Sequence, residues 1–281
     1  MAIKPSIVEK RRSEARLWHR AFLIGLAVCV VAYLLNILLS DVESRNAWGL
    51  SYGIAATLFL VGVILLGWRR RAMSVASRLR LGRSRTWLNL HIYGGMLFLV
   101  LAMMHSGLHL PTGSLTWTIW LLSVWTTASG LLGLLLQKWI PRALTSGLSI
   151  EVNYDRIPEL IDQIRERAER IAASCGDSAR RLYGRQIAPS LVRPHRSLMY
   201  VVDITGGIQS RLKELRFLRK LQSGDERQKL DELEQLYRTK LEIDAHYTLQ
   251  WLLRWWLYFH VPTSLLLLAC VVVHIFVVAY Y

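Results

Sequence analysis

The chain has 281 residues, is 53% hydrophobic and carries a formal net charge of +15. Apolar runs of about 20 residues recur along it, which excludes an ordinary soluble domain and points to a membrane protein. Its three cysteines, Cys29, Cys175 and Cys270, form no C-x-x-C pair, so a disulfide framework, a thioether haem attachment and an iron–sulfur ligand set are all excluded.

Residues 1–20 form a basic N-terminus holding Lys4, Lys10, Arg11, Arg12, Arg16 and Arg20. No clear small-residue cleavage site follows, so a cleavable signal is not expected. Four transmembrane helices are predicted within 21–139, at 21–40, 48–68, 87–110 and 115–139, and a fifth at 249–280 within the C-terminal segment 249–281. The second-to-third connection holds Arg69, Arg70, Arg71, Arg78, Arg80, Arg83 and Arg85. The first-to-second connection has one Arg, and the third-to-fourth has none. An excess of Lys and Arg marks the cytoplasmic side. The N-terminus, the Arg-rich connection and the insert are therefore expected in the cytoplasm, with the C-terminus periplasmic. These cations also suit anionic lipid. Nucleic-acid binding is not expected, because no basic segment is separable from a membrane anchor.

Residues 140–248 are polar and read as a small cytoplasmic insert, either α+β or a helical hairpin. Residues 148–154 alternate enough for a short strand. Pro158 suits the first turn of a helix running to about Ala173. Leu198-Met-Tyr-Val-Val, within 196–204, is expected as a second strand, ended by Gly206-Gly207. Leu212, Leu215, Leu218 and Leu221 then recur every third residue. Leu230, Leu233, Leu236 and Leu241 follow a break at Gln222-Ser223-Gly224-Asp225. This pattern predicts a hairpin whose second arm runs into the fifth span. The insert has no GxGxxG, P-loop or flavin motif. The fold class expected is an all-α membrane protein, a bundle of about five transmembrane helices with this insert.

The chemistry concentrates in four histidines. His91 and His105 lie on the third span and His260 and His274 on the fifth, each pair 14 residues apart. That spacing brings both members to one helix face, ~21 Å apart along the axis. If both spans start in the cytoplasm they run parallel, so His91 faces His260 on the inner side and His105 faces His274 on the outer side. A separation of ~21 Å forbids one four-histidine zinc site. Two bis-histidine sites suit two non-covalent b-type haems, with His91 and His260 on the inner iron and His105 and His274 on the outer.

His109, four residues after His105, is the alternative outer ligand. His105 fits the spacing of the fifth span better, and His109 borders the Pro111 turn. His246 reads as an interfacial residue, with ligation of an extra cofactor as the alternative. Arg254 either snorkels to the interface or contacts an inner haem propionate. Gly94 and Gly95 either permit close helix packing or make room for a flat macrocycle. No catalytic side chain is defined.

The motifs His91-Ile-Tyr-Gly-Gly through Met104-His105, and Phe259-His260-Val-Pro through Val273-His274, resemble the ferric-reductase-like transmembrane superfamily and other di-haem membrane cytochromes b. The resemblance covers the third to fifth spans and implies haem ligation by the four ladder histidines. The chain departs from that family in having five spans, a large insert and no C-terminal flavin or nicotinamide domain. The expectation is therefore an electron-transfer subunit of a respiratory or redox complex in the bacterial inner membrane. Its partners would be a quinone and other redox subunits, a c-type cytochrome or an iron–sulfur protein. The alternatives are a ferric, oxygen or quinone reductase acting at an exposed haem edge, and a haem-free scaffold or assembly factor.

Overall fold

The computed structural model describes residues 7–40, 43–71, 82–147 and 156–280. Five of its helices are long and apolar enough to cross a membrane, and no strand occurs among the described residues. The chain divides into two compact units, residues 1–132 with 259–281, and residues 133–258.

The first unit is built from α1 (Ile7–Leu39), α2 (Ala47–Arg71), α3 (Ser84–His105), the first part of α4 (Ser114–Gly147) and the last part of α9 (Gly224–Tyr280). Its core gathers Tyr33, Tyr52, Leu60, Phe98, Leu101, Met104, Leu267 and Val271. Aliphatic side chains cover the outside, with Leu38 and Leu58 81% and 68% exposed. Large apolar surface left open on every outer face suits contact with lipid tails rather than water.

The α2–α3 packing is close because Gly94 has no side chain. A Cβ there would stand 3.3 Å from Val63 and 3.4 Å from Phe59. Arg69 closes the other end of this pair. Its guanidinium donates to the Ser84 hydroxyl (2.9 Å) and the Gly82 carbonyl (2.8 Å) and lies over the Trp87 ring. At least this arginine of the basic connection ties two spans together.

α3 ends at His105, earlier than the predicted 87–110. Gly107 and Leu108 both adopt positive φ, 63° and 61°. Two successive left-handed residues turn the chain out of the helix. His109 therefore lies exposed in the connection and not on a helical face with His105.

The second unit has helices and no strand among its described residues. It contains α5 (Ile157–Ala173), α6 (Asp177–Leu182), α7 (Met199–Val202), α8 (Ile204–Leu221) and the first part of α9. α5 starts at the position Pro158 favours and buries Ile157, Ile161, Ile164, Ala168 and Ala172, a helical stripe. These pack with Leu212, Leu215, Leu230, Leu233 and Leu241, the hairpin leucines. The hairpin turns at Gly224, whose φ is +61°, and its second arm continues unbroken as the 57-residue α9.

The strand expected within 196–204 is instead the single helical turn α7. Val202 and Leu198 are 89% and 70% exposed, while Tyr200 is buried against Gly207. With no neighbouring strand to pair with, β-branched residues gain nothing from extension. Asp203 then starts α8 by accepting from the Gly206 N–H at 2.8 Å. Burial pushes the Tyr200 phenol well above its ordinary range, so it stays neutral. The α+β form of the insert is thus corrected to a helical one in these residues. The other expected strand, 148–154, lies outside the described residues.

Candidate functional site

The four ladder histidines all belong to the first unit, and they meet in two pairs. The ring centres of His91 and His260 are 6.1 Å apart with planes at 69°. Those of His105 and His274 are 6.2 Å apart with planes at 82°. Because His91 meets His260 and His105 meets His274, α3 and the end of α9 run parallel.

Three of the four imidazoles are held from behind. His91 Nδ1 donates to the Val63 carbonyl (2.9 Å), and His105 Nδ1 donates to the Gly49 carbonyl (2.8 Å). A carbonyl only accepts, so the proton sits on Nδ1 and the lone pair on Nε2 in both rings. His260 Nδ1 lies 2.8 Å from the Ser129 hydroxyl. α2 therefore positions both α3 histidines, and α4 positions one of the α9 histidines.

Glycines let these supports come close. A Cβ at Gly53 would stand 2.8 Å from His105 Nδ1, so no side chain fits there without moving the ring. A Cβ at Gly130 would stand 3.4 Å from His260 Cε1. Gly95, by contrast, has nothing within 4 Å of where its Cβ would be, so α3 is open one turn after His91. Gly94 faces α2, as described above, and serves the helix contact.

Of the remaining singled-out residues, His109 belongs to the first unit and His246 and Arg254 to the second. His109 is exposed in the α3–α4 connection. His246 is buried within the second unit, on the part of α9 that precedes the apolar run. Arg254 is exposed on α9, six residues before His260.

Sequence reasoning did not assign Val63, Gly49, Gly53 or Ser129 to the histidines. Ser129, Gly130 and Gly133 did carry a signal, as a small-residue face suited to helix packing. Two of the three touch His260, and the third accommodates Trp256 within the second unit.

No three His, Cys, Asp or Glu side chains converge among the described residues. Each level thus brings two imidazoles together, fewer than the three or four protein ligands of a zinc site. Ring centres 6.1 and 6.2 Å apart are of the size that a metal held at ~2 Å from one nitrogen of each ring would need. The fold and these residues define a multi-pass helical membrane protein with two stacked histidine pairs. Comparison with family models, with curated proteins and with solved structures found no match.

Proposed function

We propose that the chain is a di-haem b-type membrane cytochrome, the electron-transfer subunit of a redox complex in the bacterial cytoplasmic membrane. The observation that carries this reading is the equal spacing of the two pairs, 6.1 and 6.2 Å, each pair isolated from other metal-ligating side chains among the described residues. His91 and His260 would hold one iron, and His105 and His274 the other. The backbone acceptors at His91 and His105 fix the tautomer a metal requires and raise the donor strength of the ring. Gly95, one turn after His91, leaves open space where its Cβ would stand.

Bound haems would supply one-electron chemistry at two depths of the bilayer, between a quinone or cytoplasmic-side partner and an extracytoplasmic acceptor such as a c-type cytochrome. The basic residues Arg69 near the end of α2 and Arg83 and Arg85 at the start of α3 support putting the His91 level on the cytoplasmic side. The protein's own part is to hold the imidazoles, exclude water and set the polarity around them.

Purified protein is expected to give two haems per chain in a pyridine haemochrome assay. One haem would remove the paired reading, and none would leave a haem-free scaffold. A second expectation tests the close approach at the outer level. Gly53→Ala places a methyl where the His105 ring stands, so the outer haem should fall well below one per chain while the inner one is kept. Equal occupancy of both would show that the ring moves without consequence.

A further inference from the structure

The three imidazole supports differ in kind. Two are backbone carbonyls, which no substitution removes. The third is the Ser129 hydroxyl on α4. Ser129 is 9% exposed, as is His260, so water does not readily replace it. Its own proton has a place to go, because Ser129 Oγ donates to the Thr126 carbonyl one turn earlier, at 3.0 Å. With that proton committed, the hydroxyl faces His260 as an acceptor. The chain of donors therefore runs from His260 Nδ1–H to Ser129 Oγ–H to the Thr126 carbonyl. Gly130, next in sequence, brings α4 close enough for this contact, since even a Cβ there would reach to 3.4 Å from the ring.

We propose that Ser129 is a positioning residue for the inner centre, accepting from His260 Nδ1 and so fixing the tautomer, orientation and basicity of that one imidazole. This rests on the haem reading above. Its consequence is an asymmetry built into otherwise matched sites. Accepting a hydrogen bond at Nδ1 makes the ring a better donor to an oxidised iron. Removing the acceptor weakens that preference, so the potential of the inner haem should rise while the outer one stays where it is.

The test uses the full chain as wild type, Ser129→Ala and Ser129→Thr, with haem content, potentiometric titration and low-temperature electron paramagnetic resonance of the oxidised protein. The expected result is an upward shift of one redox component in Ser129→Ala, of about tenfold in its redox equilibrium, or ~59 mV for a one-electron couple. The low-spin signal of the same component should move, and Ser129→Thr should restore both. Loss of a single haem in the alanine variant, restored by threonine, makes the same assignment more strongly. Two haems with both components unmoved in Ser129→Ala would overturn the proposal, as would an equal shift of both or identical behaviour of alanine and threonine. Wild-type protein without haem would instead overturn the function on which it rests.

Discussion

His91→Ala and His260→Ala should each remove one and the same haem, and His105→Ala and His274→Ala should each remove the other. Haem content should fall from two per chain to about one in every case. The pairing follows from the facing rings, His91 with His260 and His105 with His274. An alanine leaves one imidazole opposite an empty position, and a single neutral nitrogen holds a haem far less firmly than two. Potentiometric titration should lose the same component within each pair. The double variant His91→Ala/His260→Ala should look like either single one, because members of one site act as a unit. If His91→Ala and His274→Ala shared a phenotype instead, α3 and α9 would not bind the cofactors as parallel partners. His109→Ala should leave both haems in place, since His109 stands exposed beyond the end of α3.

Lys240→Ala should destabilise the second unit by about 3–5 kcal/mol, the cost of stranding a buried charge. Lys240 and Asp244 lie one turn apart on α9, their side chains 0% and 3% exposed, with Nζ to Oδ2 at 2.6 Å. Asp244 does a second task. Its Oδ1 accepts from the His195 N–H at 2.9 Å, while the Thr248 hydroxyl accepts from the Ser197 N–H at 3.3 Å. The segment around residues 195–197 is thus pinned to α9 by side chains rather than by its own secondary structure. Lys240→Met with Asp244→Asn removes both charges and keeps the acceptor for His195, so it should recover most of the loss. Chemical denaturation in detergent, followed through the insert, measures both variants. Equal destabilisation by the single and the double variant would mean that lost packing around Lys240, not the stranded carboxylate, sets the cost.

The spans and the histidine levels were legible because each rests on a one-dimensional signal. A run of apolar residues long enough for a bilayer needs no tertiary context, and a 14-residue interval returns to one helix face whatever surrounds it. The leucine spacing of 212–221 and 230–241 read through for the same reason. What failed to read were features that composition and periodicity do not encode. Leu198-Met-Tyr-Val-Val carries strand propensity, yet Tyr200 gains more by burying against Gly207 than an unpaired strand offers. The end of α3 was missed because Leu108, a good helix former, takes a positive φ beside Gly107. The imidazole supports lie 28, 56 and 131 residues from their histidines. No local pattern announces Val63, Gly49 or Ser129, although Ser129, Gly130 and Gly133 form a small-residue face that suits close helix packing.

The order of residues along the chain gives the histidine pairs a timetable. Both members from α3 are synthesised before residue 106, and their opposite numbers follow only at His260 and His274. At ribosomal rates of ~5–20 residues per second, the interval from His105 to His260 lasts about eight to thirty seconds. During that time the α3 imidazoles have α2 behind them but not their partners on α9, while the whole second unit is made. Neither level is complete until the last span enters the membrane, and both are then completed by one event. On the haem proposal, cofactor loading would be a late step of biogenesis, gated by the arrival of a single helix, and a ribosome stalled in the second unit would leave two half-sites open together.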